Sequence, residues 1–353
     1  MNDTARLHLL GKNETPIWGM SNAERVQRLV KQETAKCPLA DGHRLHVNLD
    51  YAFDPLLMRL ALKMPGVSFV NGADRIIGQW RNAPERTIDL ADKPGFYNEQ
   101  LRKTETPFAM RLTPDTRYRI ERASYFGAYK GITDILTKYL WPELAFHLTR
   151  LAALMRMTPN MVTAIGAALC VVATVAFAQG MFWTGMLTGF IFMVLDTVDG
   201  KLARCTITSS WWGNIFDHGI DLVHPPFWWV AWAMGTAATA HPLVGDLLIF
   251  TLVAILAGYV VQRLIEGMFI RAFGFHIHVW RKFDSDFRLI TARRNPNMVL
   301  LFASLLVGRP DLGLVAVAVW TLLSLLIHAL QIVQAYQMKS NGASPSSWLE
   351  QGA

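Results

Sequence analysis

Apolar and polar residues change rhythm twice along this chain. Up to about residue 130 the pattern is mixed and charged, with no stretch able to span a bilayer. Within Arg44 to Phe53 the centre, HVNLDYAF, alternates with the period of a strand. Asp54-Pro55 then opens a helical pattern over Leu56 to Lys63, stopped by Pro65-Gly66. Val67 to Val70 reads as another strand, followed by the turn Asn71-Gly72. From Ile132 to Met157 apolar residues recur at helical spacing among polar ones, which predicts an interfacial amphipathic helix broken at Pro142. Beyond Met157 long apolar runs take over. Six are expected to span, at about 160–179, 182–200, 212–237, 243–271, 295–309 and 311–336. Pro159 suits the start of the first, and Pro225-Pro226 should kink the third.

The expected fold class is therefore an all-α polytopic membrane domain of six transmembrane helices, preceded by a small α/β cytosolic domain. Its expected parts are 1–130 (the α/β domain), 131–157 (the interfacial helix), 158–340 (the membrane domain) and 341–353 (a flexible C-terminal tail). Composition agrees: 52% of the 353 residues are hydrophobic, with 12 Trp, 19 Phe and 15 Met. Cys37, Cys170 and Cys205 are scattered, which argues against a disulfide framework and a thiolate metal site. No apolar stretch near the N-terminus suits a signal peptide.

The charge of +7 could point to nucleic acid, but its distribution says otherwise. Lys201 and Arg204 lie between spans two and three. Arg271, Arg281, Lys282, Arg288, Arg293 and Arg294 lie between spans four and five, whereas the opposite connections carry only Arg309. Basic loops beside apolar runs fit a phosphate-rich membrane surface and anionic substrates, and no nucleic-acid partner is expected. The same asymmetry predicts that the soluble domain and both termini face the cytoplasm, in a multi-pass protein of the cell (inner) membrane.

Four acids stand out against this background. Asp196 and Asp199 close the second apolar run, and Asp217 and Asp221 open the third. Acids within membrane helices cost about 2.5–3.5 kcal/mol on insertion scales and mark functional sites. A spacing of three puts Asp196 and Asp199 on one helical face, and a spacing of four does so for Gly213, Asp217 and Asp221. Four carboxylates converging from two helix ends can hold divalent metal. With no Cys or paired His nearby, oxygen ligands favour Mg²⁺ or Mn²⁺.

Asp196 to Asp221 spell D-x2-D-G-x2-A-R-x8-G-x3-D-x3-D without a gap. This pattern resembles the signature of the CDP-alcohol phosphatidyltransferases, and the membrane domain of that family would cover about 155–340. The resemblance implies transfer of a phosphatidyl-type group from a CDP-linked lipid such as CDP-diacylglycerol to a polar alcohol, with release of CMP in phospholipid biosynthesis. It implies a two-metal site on Asp196, Asp199, Asp217 and Asp221, with Asp221 as the general base. It implies a CDP pocket lined by Gly200, Ala203 and Gly213, with Arg204 able to grip phosphate and with Thr158 and Asn160 bordering the cytidine. Homodimerisation through the spans is typical of the family. In some members a cytidylyltransferase precedes the membrane domain. Residues 1–130 show no nucleotide loop, so a degenerate nucleotidyltransferase-like domain or an unrelated accessory domain is expected.

Arg263, Arg293 and Arg294 are expected to form a second phosphate site for the acceptor. That favours a phosphorylated polyol (inositol phosphate or glycerol phosphate) over an unphosphorylated acceptor such as serine, choline, ethanolamine or inositol. Two other classes place acids within membranes. A membrane prenyltransferase needs a second acidic cluster several helices away, which the later loops lack. A cation-coupled transporter gives the Gly-x-x-Ala-Arg element no role.

Overall fold

The computed structural model describes residues 6–98 and 101–349. The amino-terminal part is α/β. Its elements are β1 (Leu7–Leu10), α1 (Asn22–Thr34), β2 (Arg44–Asn48), β3 (Tyr51–Phe53), α2 (Pro55–Lys63), β4 (Val67–Asn71), β5 (Asp74–Trp80) and β6 (Arg86–Asp89). After them come β7 (Phe96–Asn98), β8 (Lys103–Glu105), β9 (Ala109–Arg111) and α3 (Arg117–Gly127). Five strands form one sheet in the order β1-β2-β5-β4-β6, parallel at β1/β2 and β4/β6 and antiparallel between. In β2 the alternation buries Leu45 and Val47 and turns Arg44 outward. The run HVNLDYAF is not one strand. It divides after Asn48, and Tyr51–Phe53 leaves the sheet to pair with β9.

Asp54 caps α2 by accepting from the Leu56 N–H at 2.8 Å, and Pro55 fills the first turn, where a missing N–H costs nothing. Val26 and Leu29 of α1 and Leu57 and Met58 of α2 pack on Leu45, Val47, Phe69 and Ile77 of the sheet. A second core runs across the expected boundary at residue 130. Ile17, Trp18, Ile120 and Tyr125 share it with Trp141, Phe146 and the helices that follow.

Between the two halves, Leu136–Leu140 forms a wide π-type turn and α4 (Pro142–Leu154) follows. The helical path breaks at Trp141, as expected next to Pro142, and Pro142 then fills the first turn of α4. Ala145, Phe146, Thr149 and Ala153 of α4 face inward, while Leu144, Leu151 and Leu154 are exposed. The remaining elements are α5 (Pro159–Ala178), α6 (Phe182–Cys205), α7 (Trp211–Thr236), α8 (Gly245–Phe273), α9 (Lys282–Phe287), α10 (Arg294–Leu306) and α11 (Pro310–Ser340).

Three of these, α5, α8 and α11, are long and apolar enough to cross a membrane. Helices α6 and α7 have the length, at 24 and 26 residues, but α6 carries Asp196, Asp199, Lys201 and Arg204, and α7 carries Asp217 and Asp221. With 13 residues, α10 reaches roughly 20 Å, short of the roughly 30 Å of a hydrocarbon core. Val171, Leu187, Phe250, Leu264 and Leu326 point outward from α5, α6, α8 and α11, which suits lipid around them.

Helix α7 runs on through Pro225 and Pro226. Pro226 cannot donate to the Leu222 carbonyl one turn back, and the Tyr259 hydroxyl of α8 donates to that carbonyl instead, at 2.9 Å. The tail expected to be free from residue 341 is instead anchored. Ser347 Oγ donates to the Val279 carbonyl at 2.8 Å, and Trp348 Nε1 donates to Ser285 Oγ at 2.9 Å. Residues 350–353 of that expected tail lie outside the described residues.

Candidate active site

Three of the four acids meet between the second half of α6 and the first half of α7. Carboxylate oxygens of Asp196, Asp217 and Asp221 lie within 4.8 Å of one another. Arg294, at the start of α10, is the arginine that reaches them: it donates to Asp196 at 2.6 Å and to Asp221 at 2.7 Å. His218 Nδ1 is 3.5 Å from Asp217. Asp199 is 3% exposed and differs from the others. One of its oxygens accepts from the Thr163 hydroxyl of α5 at 2.6 Å, and the other, Oδ1, is buried with no partner among the described residues. An orphaned carboxylate oxygen beside three clustered carboxylates is a donor set that fits a hard divalent cation.

Asp199 and Asp217 lie on the wall of a cavity of about 590 Å³. Thr158, Asn160, Gly200, Ala203 and Gly213 share that wall, so the structure brings together five of the six residues expected around the nucleotide. Arg204 borders an adjoining smaller cavity and lies over Gly200. A Cβ at Gly200 would stand 3.3 Å from its guanidinium. At Gly213 a Cβ would stand 3.1 Å from Asn160 Oδ1. Each glycine lets a polar group approach the backbone closely. The Nε of Arg204 is buried without a partner among the described residues, a donor available to an anion. Thr158 also caps α5, accepting from the Met161 N–H at 3.2 Å.

The three arginines expected to form one acceptor site separate. Arg263 and Arg293 both donate to Glu266, at 2.9 Å and at 2.5–2.6 Å, while Arg294 turns to the acids. Consecutive residues at the start of a helix point about 100° apart, so Arg293 and Arg294 cannot serve one ligand side by side. His278 and His328 complete the Glu266 cluster, with His278 Nε2 at 3.3 Å from Glu266 and 3.1 Å from Arg293. Burial holds His278 well below its ordinary value against the pull of Glu266, so its neutral ring accepts from Arg293. Around this cluster stand further cations. Burial, and then the charge of Arg293, lowers both Arg102 and Arg288. Arg288 keeps a buried nitrogen without a partner.

Two contributions escaped the sequence. Thr163 lies three residues after Asn160 and so shares its helical face, a spacing that could have shown it. Trp18, Met20, Glu24 and Arg28 form part of the cavity wall from the amino-terminal half, and no local pattern marks them.

The acids beside this cavity, at the ends of membrane-type helices, are a donor set suited to divalent cations. The family model for CDP-alcohol phosphatidyltransferase matches residues 156–322, and this part of the chain belongs to that family. Cholinephosphotransferase 1 of Homo sapiens is 34% identical over 97 residues, 24% of either chain. The Mus musculus protein of that name is 33% identical over 97 residues, again 24% of either, and the Gallus gallus one is 34% identical over 127 residues, 33% of this chain and 36% of that one. The matches thus span about a quarter to a third of the relatives' length. A structure of Mycobacterium tuberculosis phosphatidylinositol phosphate synthase with CDP-DAG bound is 16% identical, covers 54% of this chain and 93% of that chain, and gives a TM-score of 0.43.

Proposed function

We propose that the protein transfers a phosphatidyl-type group from a CDP-linked lipid to the hydroxyl of a polar alcohol and releases CMP. The observation that carries this reading is the meeting of Asp196, Asp217 and Asp221 next to a cavity of about 590 Å³ that Asp199 also lines, one buried oxygen of Asp199 having no partner among the described residues. Those four acids would hold Mg²⁺ or Mn²⁺. When bound, such ions neutralise the diphosphate and ease approach of a nucleophile. The residues do the rest. Arg204 binds a phosphate oxygen through its free donor, while Gly200 and Gly213 let the nucleotide lie against backbone. A carboxylate oxygen of Asp221 takes the proton from the acceptor hydroxyl as the oxygen attacks phosphorus. Arg294, bonded to both Asp196 and Asp221, fixes where that oxygen points.

Helices α5 to α8, α10 and α11 form the membrane body in this proposal, with the site and both termini on the cytoplasmic side. Arg309 alone marks the other side, against the cations of the α6–α7 and α8–α10 connections.

For the acceptor, a phosphorylated polyol is supported by Arg102 and Arg288, two further cations near Arg293, one nitrogen of Arg288 being buried without a partner among the described residues. The relatives' name, cholinephosphotransferase, supports the second reading, an unphosphorylated alcohol such as choline. Arg293 and Arg263 already holding Glu266 supports it too. The test is purified protein with CDP-diacylglycerol, Mg²⁺ or Mn²⁺, and inositol phosphate, glycerol phosphate, inositol, serine or choline. CMP release and lipid mass spectrometry should identify one productive acceptor. Absence of CMP with every acceptor contradicts the proposal.

A further inference from the structure

We propose that the amino-terminal domain reads the base of the nucleotide, with Glu24 and Arg28 of α1 holding the cytosine edge of the CDP-linked donor. The inference rests on the proposed CDP-lipid reading and goes beyond it. It assigns a specificity-determining role to a domain outside the matched residues 156–322.

The direction of the substrate follows from the cavity. Its diphosphate belongs at Asp199 and Asp217, on one part of the wall. Its acyl chains belong along the outward-facing Leu, Val and Phe side chains of the helices. The nucleoside must therefore extend away from the bilayer, toward the part of the wall formed by Trp18, Met20, Glu24 and Arg28. This wall is fixed in place. The Trp18 N–H donates to Glu121 at 3.1 Å and its indole Nε1 donates to Ser124 Oγ at 2.7 Å. Arg28 donates to the Thr206 carbonyl, at the end of α6, at 2.8 Å, tying α1 to the helix that carries Asp196 and Asp199.

The chemistry of the wall matches cytosine. Arg28 also donates to Glu24 Oε1 at 2.6 Å, which sets a donor and an acceptor side by side at the cavity edge. Among the described residues no partner is seen for Glu24 Oε2 or Arg28 Nε. Cytosine offers an amino donor beside a ring-nitrogen and a carbonyl acceptor, the complement of this pair, and a carboxylate accepting from that amine is an established pairing. Uracil turns a carbonyl oxygen toward the carboxylate, and the contact becomes repulsive.

The test uses the full-length protein in lipid nanodiscs with Mn²⁺, titrated calorimetrically with CMP and with UMP. Wild type should bind CMP at least about 10-fold more tightly than UMP, the range of one charge-assisted hydrogen bond. Glu24→Ala should lose most of that preference. It breaks only a half-exposed pair, so the protein should stay folded, and a melting curve checks this. Glu24→Gln, which keeps the size of the side chain, should also lose preference, and Arg28→Ala should weaken CMP binding. Equal binding of CMP and UMP by wild type overturns the inference, as does an unchanged preference in folded Glu24→Ala and Glu24→Gln. If wild type prefers CMP and the variants do too, the CDP-lipid reading stands and only this assignment falls. If wild type binds neither nucleotide, both fall.

Discussion

Two charged clusters lie among the helices of the carboxyl-terminal half, and they are built on opposite terms. Around Glu266 one acid meets Arg263 and Arg293, with His278 and His328 filling the remaining directions. Between α6 and α7 three acids cluster and Asp199 lines the same cavity as Asp217, and Arg294 is the one arginine or lysine in direct contact among the described residues. The first cluster is ion-paired: its one acid is bonded by two arginines, while Arg263 Nε, Arg293 Nε and His278 Nδ1 are buried without a partner among the described residues. The second is open, with more negative charge than the protein neutralises and an oxygen of Asp199 left over. Burying charge without an opposite charge is costly, so the excess of acids marks where a cation completes the open cluster, whereas the ion-paired, closed one holds structure.

Breaking the closed cluster should have the larger effect. Glu266→Gln leaves Arg263 and Arg293 facing each other without their acid. Removing one partner of a buried ion pair costs about 3–5 kcal/mol. The expected outcome is a large loss of thermal stability, read by a melting curve in detergent. A stability equal to wild type would show that this cluster does not hold α8 to the 275–294 segment. In the open cluster the effect should fall on rate. Asp199→Asn and Asp217→Asn should each lower CMP release by about 10²–10³-fold, as loss of a key electrostatic group does. Their melting temperatures should not fall, since each removes a charge from a crowded set. Destabilised proteins with wild-type turnover would invert the comparison.

Arg294 adjoins both clusters, because its chain neighbour Arg293 belongs to the other. Arg294→Lys keeps the charge but cannot span Asp196 and Asp221 with a planar fork. CMP release should fall about 10-fold, a loss of about 1.4 kcal/mol in transition-state stabilisation, with stability kept. Full activity would show that the bridge between the two acids has no positioning role.

The open cluster was legible in the sequence because its rule is local. Spacings of three and four fix a helical face whatever surrounds it, so Asp196 to Asp221 could be read from 26 residues. The partners of those acids are not local. Arg294 is 98 residues from Asp196, and only the packing of α10 beside α6 brings them together. Adjacency misled in the opposite sense: Arg293 and Arg294 read as a pair in sequence and diverge once α10 begins between them. In the amino-terminal half the alternation of HVNLDYAF showed extended chain but not the change of partner after Asn48. Register depends on neighbouring strands that a single segment does not contain. Nor could the wall of Trp18, Glu24 and Arg28 be read, because those residues acquire their place only when the α/β domain docks on α6.

The measurement that tests the contrast most directly is a Mn²⁺ titration of the purified protein, followed by electron paramagnetic resonance. Wild type should bind Mn²⁺, and Asp199→Asn and Asp217→Asn should weaken that binding at least about 10-fold, the tenfold step that about 1.4 kcal/mol represents. His278→Gln, in the closed cluster, should bind as wild type does. Unchanged Mn²⁺ binding in both aspartate variants, or its loss in folded His278→Gln, would contradict the assignment of the open cluster as the cation site.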